Sequence, residues 1–239
     1  RESGLFLYLN MGKKSITLDI TKSDGQELLK NLTNHADILV ESFEPGTMSS
    51  LNLDYTSLHQ INPQLVMTSI SYFGQNGPFR NYAGSEIVAD ALSGYMYLTG
   101  EEDREPLKPG GYQAEYQGGL NAALATMAAI TSRHALGHGQ QADVAITDSV
   151  ISTYDGAGIF NLFLRNDTVA KRVGTRLIGD DPARPYPSRL LPCKDGYVHV
   201  HYAPSDPEAM ALLTGNQRLA DPDLLANPRG HANEIDQHL

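Results

Sequence analysis

Hydrophobic and polar positions change period several times along the chain. Ser15 to Asp19 alternates as a half-buried strand does, whereas Asp24 to Asn34 sets Leu28, Leu29 and Leu32 at helical spacing. Ala36 to Val40 is a continuous apolar run suited to a buried strand, and Leu65 to Ser71 is a second. Between them lie the turn Glu44-Pro45-Gly46 and a short helix from Tyr55 to Gln60, stopped by Asn62-Pro63. Strands separated by helical segments favour a parallel sheet with right-handed crossovers, so the pattern predicts an α/β protein.

Beyond Phe73-Gly74-Gln75-Asn76-Gly77-Pro78 the spacing predicts a helix over Ser85 to Met96, a charged loop over Glu101 to Lys108, and an Ala-rich helix over Gly119 to Arg133. Gln141 to Ile146 reads as a further strand. Asp148 to Leu164 reads as a long, mostly apolar helix capped by Asp148 or a neighbour. Arg172 to Pro187 is rich in Gly, Pro, Arg and Asp, which is linker chemistry and puts a domain boundary near residue 185. Lys194-Asp195-Gly196 then joins Arg189 to Pro192 with Gly196 to Tyr202 as a hairpin, because Asp-Gly suits the primed turns that strand twist requires. A helix is expected from Pro204 to Leu213, and the tail to Leu239 is weakly patterned.

Composition narrows the partners. A net charge of -10 argues against nucleic acid or an anionic membrane surface, since phosphate binding needs clustered Lys and Arg; an anionic ligand held locally remains compatible. Cys193 is the single cysteine, so no internal disulfide framework exists, and no long apolar run or basic leader marks a membrane or secretory segment. A cytoplasmic protein is expected. Its opening on Arg1, inside a loop or helix end, reads as a piece of a longer chain. Patterns for dinucleotide, P-loop, serine-hydrolase and zincin chemistry are missing. His199 and His201 share one face of a strand, but without an acid or cysteine at ligand spacing they read as an exposed face, and no metal is expected.

Three stretches carry a resemblance: Asn10-Met11-Gly12-Lys13-Lys14-Ser15-Ile16-Thr17-Leu18-Asp19, Val40-Glu41-Ser42-Phe43-Glu44-Pro45-Gly46, and Gly137-His138-Gly139-Gln140-Gln141-Ala142-Asp143-Val144. In that order they resemble the family III CoA-transferases, which include formyl-CoA and carnitine CoA-transferases and the methylacyl-CoA racemases. The resemblance runs from about Leu5 to about Tyr202. It implies a Rossmann-like parallel sheet in a large domain, residues 1–185, lacking its first strand-helix unit. Residues 186–239 would be the truncated beginning of a smaller α+β domain. It also implies an interlocked homodimer for the intact protein.

The chemistry implied is CoA exchange between an acyl-CoA and a carboxylic acid through a covalent carboxylate intermediate, with the CoA thioester as substrate and no cofactor. Glu115, in Gln113-Ala114-Glu115-Tyr116-Gln117-Gly118-Gly119, matches the nucleophile, where the family normally has aspartate. On local sequence alone it is an acid ahead of a helix, gaining about 0.3–1 kcal/mol from the helix dipole. The N–H groups of Gly118 and Gly119 would serve a developing oxyanion, or the two glycines would allow close packing. Glu86 matches a second acid near the family's active centre, or is an ordinary first-turn carboxylate. Ser85 before it replaces the histidine of the racemases and has no useful base at neutral pH, which opposes a racemase or isomerase.

For CoA binding, Phe43 matches a position that packs on the adenine, Ser42 stands where asparagine is usual, and Ser50 where some relatives place an arginine. Lys22 neighbours the position of another basic group, and Arg80, Lys13 and Lys14 are further candidates for the phosphates. These departures, with Glu115, also fit a catalytically silent CoA-binding paralogue. The glycine-rich flap of some transferases has no counterpart in Asp180 to Leu190, where Arg184-Pro185-Tyr186-Pro187 stands.

Overall fold

The structure is a computed structural model and describes residues 3–156, 167, 169, 171–172, 174–175, 186–201, 207–228 and 230–239. Among these the order is α1 (Gly4–Leu9), α2 (Ser23–Thr33), β1 (Ile38–Glu41), α3 (Thr47–Ser50), α4 (Tyr55–Ile61), β2 (Val66–Ser71), α5 (Glu86–Leu92), α6 (Tyr95–Leu98), α7 (Gln113–Leu136), β3 (Gln141–Ala145) and α8 (Ile146–Gly156). There follow β4 (Ser188–Cys193), β5 (Gly196–His201), α9 (Pro207–Thr214), a 3-10 turn (Gln217–Ala220), α10 (Pro222–Ala226) and α11 (Ala232–His238). Contacts group the chain into two compact units, Arg1–Tyr82 with Leu120–Ala145, and Ala83–Gly119 with Ile146–Leu239.

The first unit is α/β. Its sheet has the order β1-β2-β3 and is parallel throughout, with Ile38 opposite Val66 and Met67 opposite Gln141. β2 is central and buried at every residue except the half-buried Ile70, as its unbroken apolar and small-polar run requires. Met48, Leu53, Leu58, Leu65 and Met67 form the core beneath it. Thr68 on β2 and Thr126 on α7 share a buried hydroxyl contact of 2.6 Å, and Tyr55 donates to the Gly139 carbonyl at 2.8 Å.

Two strand expectations are corrected here. Ser15 to Asp19 forms no strand, because alternation alone makes none without a neighbouring ladder, and Ile16 is exposed. The run expected to be fully buried, Ala36 to Val40, instead supplies the outer strand β1, with Ile38 and Val40 exposed.

The second unit holds α5, α6, the first turns of α7, α8, the antiparallel β4–β5 hairpin and the C-terminal helices. The tail that reads as weakly patterned is folded: Tyr186, Ala211, Leu219, Leu224, Ala232 and Ile235 close a small apolar core. Its start signals are local, since Asp221 accepts from the Asp223 N–H and Pro222 occupies the first helical position, where a missing N–H costs nothing. The helix expected over Ser85 to Met96 is split at Gly94, whose φ of +86° ends α5 and opens α6. α8 begins at Ile146, so Asp148 lies in its first turn and is not its cap. Residues 157–164 of that expected helix, most of the linker over 172–187, the flap region 180–185 with the boundary near 185, and the expected helix start at 204–206 lie outside the described residues. No described helix is long and apolar enough to cross a membrane.

Candidate active site

α7 starts at Gln113, six residues before the expected Gly119, and this moves the candidate nucleophile. Glu115 does not project from a glycine-rich turn; it stands in the first turn of a 24-residue helix and is exposed. Glycines usually weaken a helix by about 1 kcal/mol each, which is why the sequence places the start no earlier than the second of them.

Gly118 and Gly119 are therefore inside α7, beyond the four N–H groups that a helix leaves unpaired at its start. Their amides belong to the helix ladder, which corrects the expectation of free oxyanion donors. The packing alternative holds for one of them. A Cβ on Gly118 would stand 2.8 Å from Ile146 Cγ1 at the start of α8, whereas one on Gly119 would meet nothing within 4 Å among the described residues. The inward face of α7 continues this preference for small side chains, with Ala114, Ala122, Thr126 and Ala129 buried while Leu120, Leu124 and Met127 are exposed.

Glu86 holds the start of that helix. Its side chain is buried, and its two carboxylate oxygens accept the N–H of Ala114 at 2.8 Å and that of Glu115 at 3.2 Å. Both donors belong to the orphan group at a helix N-terminus, where an acid gains from hydrogen bonds and dipole together. Glu86 itself opens α5, so one helix start is tied to another. The site's backbone is thereby fixed at the residue that carries the Glu115 side chain.

One turn further along α5 is Asp90, which sequence reading passes over because it sits in an otherwise ordinary helical pattern. It is fully buried, and neither carboxylate oxygen has a hydrogen-bond partner among the described residues. Lys108 Nζ lies 4.0 Å from Asp90 Oδ2 and donates to the carbonyls of Pro109 at 2.8 Å and Gly111 at 2.7 Å. Burial pushes the Asp90 carboxyl above its ordinary range, the negative Glu86 adds to this, and Lys108 opposes it. Burial and the charge of Asp90 likewise raise the Tyr95 hydroxyl.

The first unit has a polar cleft of about 270 Å3 beside the ends of β1 and β2. Glu41, Glu44, Asp54, Ser69, Gln75, Asn76 and Arg80 are among its lining. Asp143 on β3 shapes the rim by accepting the Gln75 N–H at 3.0 Å on each oxygen. Of the residues expected to bind CoA, Arg80 lines this cleft; Phe43, Ser42 and Lys22 do not. Phe43 and Ser42 are exposed on the turn after β1, where the Phe43 N–H donates to Glu41 Oε2 at 2.8 Å, and Lys22 is exposed at the start of α2. Ser50 donates to the Thr47 carbonyl at 2.8 Å and so closes its own short helix. With three carboxylates and one guanidinium among its lining, the cleft is electrostatically unfavourable to phosphates.

Elsewhere, His199 and His201 stack on exposed β5 with ring centres 6.4 Å apart, and His201 Nδ1 is 2.7 Å from Ser188 Oγ. No cluster of three or more metal-ligating side chains occurs among the described residues.

Comparison with known proteins follows the same lines. The sequence signature of CoA-transferase family III matches residues 1–239. The succinyl-CoA–D-citramalate CoA-transferase of Chloroflexus aurantiacus is 32% identical over 221 residues, covering 92% of this chain and 52% of the relative. The human succinyl-CoA:glutarate CoA-transferase is 31% identical over 237 residues, covering 99% and 52%. Among solved structures, a CaiB/BaiF family protein from Brucella suis superposes with a TM-score of 0.77 at 32% identity, over 95% of this chain and 59% of that one. The chain thus spans about half the length of the curated relatives it matches.

Proposed function

Because this chain belongs to CoA-transferase family III, we propose that the intact protein transfers CoA from an acyl-CoA to a free carboxylic acid, with Glu115 as the nucleophile. A Glu115 carboxylate oxygen attacks the thioester carbonyl, the C–S bond breaks, and CoA leaves as thiolate, giving an acyl-glutamyl anhydride. The thiolate then attacks the glutamyl carbonyl, forming a glutamyl-CoA thioester and releasing the donor acid. The acceptor carboxylate attacks that thioester in turn and expels the thiolate. Attack by the thiolate on the acceptor's acyl carbon yields the new acyl-CoA and restores Glu115. Every step balances without an oxidant or reductant.

The observation that carries this reading is the Glu86 clamp on the Ala114 and Glu115 amides. It fixes the backbone of an exposed acid at the position matching the family's nucleophile. A carboxylate that must reach a carbonyl carbon within about 3–3.5 Å depends on such placement. Glutamate in place of the usual aspartate extends the reach by one methylene. Relatives named for succinyl-CoA make it the first donor to try, with glutarate or citramalate as acceptor.

The test is to incubate the intact protein with succinyl-CoA and quench it. A peptide mass increase on Glu115, exchanged for a new one on adding acceptor acid, is the expected result. Turnover with no adduct at Glu115, and full turnover in Glu115→Gln, would overturn the assignment.

A further inference from the structure

A buried carboxylate without a hydrogen bond is costly and normally gives way to an amide or an apolar side chain, so Asp90 requires an explanation. It is fully buried, and among the described residues three titratable groups lie beside it. Those are Glu86 on its own helix, Lys108 on the preceding loop of α7, and Tyr95 on α6. Lys108 has three N–H groups. Two go to the carbonyls of Pro109 and Gly111, the loop that leads into α7, and the charge of the ammonium lies 4.0 Å from Asp90.

We propose that Asp90 is a positioning residue for Glu115: its carboxylate anchors the Lys108 ammonium, which fastens the 109–111 loop and so sets where α7 begins. The inference rests on Glu115 being the reacting acid. Glu86 and Asp90 are four residues apart and thus on one face of α5. Glu86 fixes residues 114 and 115 directly, and Asp90 fixes residues 109 and 111 through Lys108. Two points held on either side of Gln113 define the direction in which the first turn leaves the loop. A single point would let the turn pivot.

Asp90→Asn in the intact protein keeps the shape and removes the charge. A role limited to packing predicts unchanged turnover, since an amide suits the buried site at least as well. The positioning role predicts that kcat for CoA exchange falls about 10- to 100-fold while KM for acyl-CoA stays within about 3-fold. Amide hydrogen exchange over residues 110–115 should quicken about 10-fold or more, with no fall in melting temperature. Lys108→Met should reproduce both changes, and the double variant should be no worse than either single one, because the two act through one contact. If Asp90→Asn does not fold, Asp90→Ser, which also removes the charge, is read out in the same two ways. Unchanged kcat together with unchanged exchange over 110–115 would overturn the inference while leaving the Glu115 assignment standing. If the unaltered protein neither transfers CoA nor forms an adduct, the functional reading fails, and exchange over 110–115 still decides whether Asp90 places that segment.

Discussion

Two regions of the molecule are built around buried or half-buried acids, and the acids do different things. Among the acids lining the cleft of the first unit, Glu41 accepts from the Phe43 amide and Asp54 from Ser57, partners two and three residues away, and only Asp143 at its rim reaches further, to Gln75. At the start of α7, Glu86 accepts from amides 28 and 29 residues away, and Asp90 faces Lys108 on a distant loop. An acid that satisfies its own turn shapes a local stretch of backbone. One that bridges remote segments fixes the distance between them, and reactivity depends on that distance.

The largest effect expected from breaking this contrast is at the residue the bridge presents. Glu115→Gln should lower CoA exchange by at least about 10^3-fold, since an amide cannot form the anhydride, while CoA affinity measured by calorimetry stays within a few-fold. Next is the bridge itself. Glu86→Gln should lower kcat about 10- to 100-fold and cost about 1.5–3 kcal/mol in urea unfolding, because a charged acceptor of one buried and one part-buried amide is lost. An unfolding midpoint equal to that of the parent would show that the clamp contributes nothing. Phe43→Ala probes the other region: the CoA dissociation constant should rise roughly 10-fold if adenine stacks there, and unchanged calorimetry would move the ligand elsewhere.

Smaller still is Asp54→Ala, which removes a helix cap and should cost about 1 kcal/mol with turnover unchanged. Lost turnover there would erase the contrast between local and bridging acids. The subtlest test is pH. The Asp90 carboxyl is raised in the fold by burial and by Glu86, against Lys108, so it binds its proton more tightly folded than unfolded. Its contribution is favourable below the unfolded value of about 3.9 and is lost as pH rises through the folded value. Asp90→Asn should therefore melt higher than the parent at neutral pH, with the gap closing in acid. A gap that widens in acid would reverse the sign.

The same contrast explains how much could be read from the chain. α2, the strands β1, β2 and β3, and the Asp-Gly hairpin follow from spacing and turn chemistry, which are local, whereas the short α3 and the break between α5 and α6 went unread. The family was legible from ordered motifs. What stayed hidden depended on partners far along the chain. Alternation at Ser15 to Asp19 says nothing about whether a strand lies beside it, and the apolar run ending at Val40 does not reveal that it is outermost in the sheet of the described residues. The true start of α7 was obscured by two glycines whose helical cost is offset at Gly118 by contact with Ile146. Asp90 carried no sequence signal at all, since only its burial and the reach of Lys108 distinguish it from a solvated helix acid.

Those neighbouring glycines also make a paired sensor for selection experiments. In a library sampling both codons, alanine at 118 should vanish through collision with Ile146, whatever the screen rewards. Alanine at 119 has open space among the described residues and a better helix former's advantage of about 1 kcal/mol, so a screen for folding alone should enrich it. If a screen for turnover depletes it instead, the two enrichment profiles together would mark the spot where something outside this chain comes within a methyl group of α7.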